Sequence, residues 1–213
     1  MERHIAGTEP YPWPYDGRIT PDSLALVIVG AQRWWIGCTE GVTAALDAIG
    51  RLRVACRAVG VRAVIVSHTA PTAPAAARPP WLPLAGSEAA ERVLELERGD
   101  LVLPAAGLDA CATGTLDTTL RRMGIDHLLV AGLGLEGPVH STLRGANDRG
   151  YECLLVADAC SSDGARTRAG AVSSVLMSGG IFGAVGSTAA VLTAVAGLAD
   201  DSANTPADPE VIP

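Results

Sequence analysis

Lysine is missing from this chain: all sixteen basic residues among its 213 are arginines. Any chemistry that needs a lysine amine, as a Schiff base or as the cation beside an ionised nucleophile, is therefore excluded wherever the chain folds. An arginine-only basic set, beside many Ala, Gly and Pro residues, is what a GC-rich gene produces. Basic charge is also scarce. The net charge of -7 leaves no basic face to track phosphates, so no nucleic-acid partner is expected. No apolar run approaches the roughly 20 residues that span a bilayer, so no membrane is expected either. MERHIAGTEPYPWPYDG has no apolar stretch of the secretory kind. Cys38, Cys56, Cys111, Cys153 and Cys160 form no C-x-x-C pattern, and no His, Asp and Cys set has metal-ligand spacing, so neither metal nor cofactor is expected. A cytoplasmic protein with reduced thiols is the consistent expectation.

What is present is a hydrophobic chain of single-domain size, 48% apolar, with a mean hydropathy of +0.28. Short branched apolar runs alternate with helical spacing. Strands are expected at 23–30, 62–70, 100–105, 127–132 and 152–159. Helices are expected at 41–60, 114–124, 138–149, 164–178 and from Ser187 onward, several closed by a glycine. This order predicts an α/β three-layer αβα sandwich around a mostly parallel sheet. Residues 1–22 read as an N-terminal arm, 23–198 as the domain and 199–213 as a disordered polar tail. Residues 71–87, dense in Pro and Ala, read as an irregular surface loop. Ligands of such sheets bind beyond the carboxyl ends of the strands, which points to Gly30 and its followers, His68, the loop after Pro104 and Gly132–Pro138.

Four segments in order carry a resemblance: YPWPYDGRITPDSLALVIV, GTLDTTLRRMGIDHLLVAG, VHSTLRGANDRGYECLLVADAC and SGGIFGAVGSTAAVL. Together they resemble the isochorismatase-like cysteine hydrolases, and in particular the ureidoacrylate amidohydrolase and biuret hydrolase branch. The resemblance implies a Rossmann-like fold and an Asp–Lys–Cys triad that hydrolyses amide, ureido or enol-ether bonds. In such a triad the helix dipole favours the cysteine thiolate, the aspartate moves the proton and the lysine holds the ionised pair. The corresponding positions here carry Gly30 in the Asp place, Pro138 in the Cys place and, near the Lys place, Ala106. The resemblance therefore implies an emptied hydrolytic site, roomier and less charged than in the hydrolases.

Other residues near that site have two readings each. Glu136, His140 and Asp109 are candidate proton-moving groups. Glu136 can equally stabilise a helix N-terminus, and His140 can be structural. Cys111 and Cys38 are either buried or idle thiols or a relocated nucleophile. Trp34 and Trp35 can wall a planar ligand or pack on a partner. Arg33 can bind an anion or stay solvated, and His68 can be a bonded core-edge residue. Gly30, Gln32, Ala106, Gly134, Leu135 and Pro138 complete the expected lining. Tyr11, Trp13 and Tyr15 ask for burial, and related arms pack on a neighbouring subunit, so a homodimer or homotetramer is expected. Three functions remain open: a non-hydrolytic enzyme that cyclises, isomerises or eliminates within a small organic molecule; a pseudoenzyme that binds a ligand or partner; and a hydrolase with a relocated thiol.

Overall fold

Four continuous apolar runs decide the centre of the molecule. In the computed structural model, which describes residues 3–71 and 82–202, these runs become adjacent parallel strands. They are β1 (Leu24–Val29), β2 (Arg62–Thr69), β4 (His127–Gly132) and β5 (Glu152–Cys160); β3 (Leu101–Ala106) and a three-residue β6 (Ala184–Gly186) flank them. Every residue of β1 and β4 is buried, as expected of strands covered on both faces. The order is β3-β2-β1-β4-β5-β6, all parallel, with Val29 opposite Gly132 at the central pair. Six strands of this kind covered by helices form the three-layer sandwich the alternation predicted.

Side-chain alternation splits the core into two layers. On one face Leu24, Leu26 and Ile28 meet Ala48, Ile49, Leu52 and Cys56 of α2 (Val42–Ala58), with Val191, Val195 and Leu198 of α6 (Thr188–Ser202). The helical residues recur at the three- and four-residue steps that put them on one stripe. On the other face Ala25, Val27 and Val29 meet Leu116 and Leu120 of α3 (Thr115–Arg122), Leu143 and Ala146 of α4 (His140–Asn147) and Val175 of α5 (Ala165–Leu176). Each fully buried large aliphatic contributes roughly 1.5–3 kcal/mol.

Three short elements escape sequence periodicity: β6, the single-turn α1 (Arg33–Ile36) and a 3-10 turn at Glu88–Ala90. Helix α6 runs to Ser202, into the segment expected as a tail; residues 203–213, and 72–81 of the expected surface loop, lie outside the described residues. No helix among the described residues is long and apolar enough to cross a membrane.

The arm packs on its own domain. Glu9 and Val185 exchange backbone hydrogen bonds of 3.0 and 2.7 Å, which adds the arm to the free edge of β6. Trp13 is fully buried, with its ring edge-on to His127, whereas Tyr15 is 81% exposed. Within the chain, then, the burial Trp13 requires comes from the strand ends beneath it. His127 Nε2 also lies 3.3 Å from Asp16 and 3.9 Å from Glu152, three potential ligand groups that no sequence spacing brings together. These contacts join the arm to the starts of β4 and β5.

Candidate functional site

The strand order reverses between β1 and β4, so the crevice that binds ligands in an open parallel sheet lies beyond Gly30 and Gly132–Leu135. Gly30 has φ +66°, and a Cβ there would lie 2.5 Å from the Leu133 carbonyl oxygen, 3.0 Å from Pro138 Cγ and 3.2 Å from Trp35 Nε1. Backbone conformation and surroundings both exclude a side chain at this point. A Cβ on Gly134 would stand 2.7 Å from Cε3 of Trp35, and one on Gly137 would stand 3.2 Å from its Cη2. The indole thus lies against two glycines, with Gly30 and Pro138 beside it.

Trp35 is only 8% exposed and belongs to a small apolar cluster with Ala45, Leu82, Leu133, Val93 and Leu108. Its backbone is pinned. Thr39 Oγ1 donates to the Trp35 carbonyl (2.7 Å), the Ser161 hydroxyl lies 2.7 Å from Thr39 Oγ1, and Ser161 Oγ accepts the Gly134 N–H at 3.1 Å. The roomier crevice expected from the small residues at 30 and 138 is therefore not there. An apolar hollow beside a short helix is filled by the nearest large apolar side chain, because an unfilled one forfeits dispersion contacts. Trp35 thus fills the crevice instead of walling it, and Trp34 is half-buried beside the same cluster.

Pro138 sits inside a π turn, Leu135–Val139, and α4 begins only at His140, two residues later than the periodicity suggests. The cause is local. Proline has no N–H to offer the Gly134 carbonyl four residues back, and Val139 reaches it instead at 3.4 Å, an i→i−5 bond. Leu135 turns into the core under α4 and is fully buried, so it does not line a crevice as expected.

Of the three candidate proton-moving residues, Glu136 and His140 lie within electrostatic reach of each other, and Asp109 stands apart. Glu136 accepts a short hydrogen bond from Ser162 Oγ and a 3.2 Å bond from the Asp163 N–H, tying the turn to the loop after β5. His140 is half-buried against Ala171 of α5, and burial, then Arg144, lowers its pKa. Asp109 accepts from the Cys111 N–H (2.8 Å), presses on Gly145 and faces Arg149 at 3.9 Å. Gly145 stands five residues beyond His140, about 7.5 Å along the helix axis. Asp109 is thus a turn-forming carboxylate packed against α4, not a partner of Glu136.

Most of the expected lining proves structural. Gln32 is fully buried: its amide donates to the carbonyls of His68 (2.9 Å) and Ala90 (3.0 Å) and accepts from the His68 N–H (2.7 Å). His68 bonds the Gly107 carbonyl through Nδ1 at 2.9 Å; burial pushes its pKa down to about 4, and its Nε2 has no partner among the described residues. Arg33 is exposed and paired with Glu91 (3.4 Å) and Glu88 (3.8 Å), so it is not a waiting anion ligand. Ala106 ends β3 with its side chain exposed, on the edge strand two places from β1. From that loop it is Leu108 that reaches the site, where its Cδ2 would lie 3.6 Å from a Cβ on Gly137. Cys111 is fully buried, and burial followed by the Asp109 charge pushes its thiol up to about 12, so it is no thiolate near neutrality. Cys38 is the one exposed cysteine of the five.

An all-parallel 3-2-1-4-5-6 sheet between two helical layers, its crevice at the β1–β4 reversal, defines a doubly wound α/β protein. More narrowly, the chain belongs to the isochorismatase family: the Isochorismatase domain model matches residues 24–189. Among solved structures it resembles a cysteine hydrolase from Pseudomonas syringae pv. phaseolicola 1448A (TM-score 0.74, 18% identity, covering 84% of this chain and 95% of that one). It also resembles an isochorismatase family protein from Burkholderia thailandensis (TM-score 0.72, 23% identity, 84% and 97%). A third is the MAR1 ribonuclease of Caenorhabditis elegans (TM-score 0.67, 16% identity, 92% and 97%). At these identities the likeness is one of fold.

Proposed function

We propose that this protein is a catalytically silent member of the isochorismatase family, a pseudoenzyme that keeps the hydrolase framework for binding. The reading places the chain in the ureidoacrylate and biuret hydrolase branch, with Gly30, Ala106 and Pro138 where the branch has Asp, Lys and Cys. One observation carries it: the Trp35 indole, stacked on Gly134 and Gly137, takes the space in front of Gly30 and Pro138. A substrate carbonyl placed there would meet glycine and proline at positions 30 and 138, in a chain with no lysine, and would first have to displace a buried tryptophan.

A second reading, a non-hydrolytic enzyme acting on a small organic molecule, is favoured by one feature. Trp35 Nε1, which points toward Gly30, is buried without a partner among the described residues. A ligand that turned Trp35 outward would give that atom a bonding partner.

The test is incubation of the purified protein with isochorismate, ureidoacrylate and biuret, read by mass spectrometry. No product above the buffer rate is expected, and native-state alkylation should modify Cys38 alone. Hydrolysis that disappears in Cys38→Ser would replace this reading with the relocated-thiol hydrolase. A rearranged product that survives Cys38→Ser would instead establish the non-hydrolytic enzyme.

A further inference from the structure

We propose that a cleft at the opposite end of the sheet binds a phosphate dianion, free or as the monoester of a small molecule. The cleft holds about 310 Å³ between the α2–β2 turn and the segment entering β3. Arg53, Arg57, Arg62 and Arg98 line it, four of the sixteen arginines of a chain whose net charge is -7. Gly60 and Gly99 also face it, and a Cβ on either would meet nothing within 4 Å, so the turn backbones leave its floor open.

The charges do not cancel locally. Asp100, its side chain 3% exposed, accepts from Arg53 at 2.5 Å and from Arg57 at 3.3 Å. Glu97 lies 3.4 Å from Arg53 and contacts Arg57 more closely. Two carboxylates thus face four guanidinium groups, and Arg62 and Arg98 have no ion pair among the described residues. An excess of two positive charges matches one dianion.

Arg53 builds the wall of the cleft. It is 5% exposed and is held by Asp100 (2.5 Å), Glu97 (3.4 Å) and the Glu95 carbonyl (3.0 Å), so the two guanidinium groups left for an oxyanion are those of Arg62 and Arg98. Planar guanidinium forks suit tetrahedral oxyanions. The volume lies at the lower end of small-molecule sites, and the acidic balance of the whole chain disfavours a polyanion.

Isothermal titration of the full chain at low ionic strength, with inorganic phosphate and glycerol phosphate run side by side, tests the proposal. Sodium chloride at matched ionic strength is the control. Saturable single-site binding of one or both phosphates is expected, about tenfold weaker or worse in the Arg62→Ala/Arg98→Ala variant. Because those two side chains hold no ion pair, the variant should melt at the wild-type temperature without ligand. If neither phosphate gives saturable heat, or the double variant binds as well as the wild type, the proposal is wrong. A folded Arg98→Glu variant that still binds phosphate undiminished would overturn it equally. None of these outcomes depends on whether the crevice at Trp35 is catalytic.

Discussion

The two ends of the sheet are opposites. At the carboxyl end, between β1 and β4, the crevice is apolar, floored by glycines and filled by an indole from the same chain. At the amino end, beneath β2 and β3, the cleft is open, lined by arginine and short of negative charge. Fold topology directs attention to the first end, since doubly wound sheets bind ligands there. Unpaired charge adds the second, where Arg62 and Arg98 have no ion pair among the described residues. The position of a family's site and the place where a particular chain has capacity to bind are separate properties.

The sharpest way to break the contrast is Trp35→Ala, which empties the carboxyl end. We expect a loss of roughly 3–5 kcal/mol in urea unfolding, the cost of removing a buried aromatic and leaving a cavity. Benzene or indole added to the variant should recover part of it. A loss below about 1 kcal/mol would mean the indole is not tightly packed.

Acidification acts on the same end. His68 is held neutral because burial depresses its pKa from 6.5 to about 4. Between those values the unfolded chain binds the proton and the folded chain does not, so stability falls as pH drops through this window and levels off below it. The full effect is roughly 3 kcal/mol. Urea midpoints of wild type and His68→Gln across that range should diverge, with the variant flatter. Gly134→Ala should cost less, roughly 2 kcal/mol, because φ +82° strains the new residue and its Cβ presses the indole. It should also change Trp35 fluorescence, whereas Gly99→Ala, at the open cleft, should leave it unchanged.

Much of the fold was legible because it depends on local pattern. The apolar runs LALVIV and HLLVAG could only be strands buried on two faces, and the α2 stripe from Ala45 to Cys56 repeats at helical spacing. The crevice was half legible. Gly30 and Pro138 could be placed by resemblance, and both do border it. That Trp35 fills it could not be read, since the contact joins residue 35 to glycines about a hundred positions later. The stacking surface consists of missing Cβ atoms, which leave no apolar signal in sequence. Leu108 and Ser161 also reach the site only through long-range contacts, to Gly137 and to Thr39, that no local pattern signals. The arginine cleft was hidden differently: an all-arginine basic set looks compositional until Arg53, Arg57, Arg62 and Arg98 converge in space.

The bridge between Glu9 and Val185 constrains how this protein can meet another. An exposed strand edge is an invitation for a foreign strand to continue the sheet. Here the β6 edge is already taken by the chain's own arm. At the opposite edge, β3 contains Pro104, which has no N–H to donate. A visitor looking for backbone to pair with finds one border occupied and the other interrupted. Recognition of this molecule would then rest on its side chains, and on one ladder of contacts the arm would have to release first.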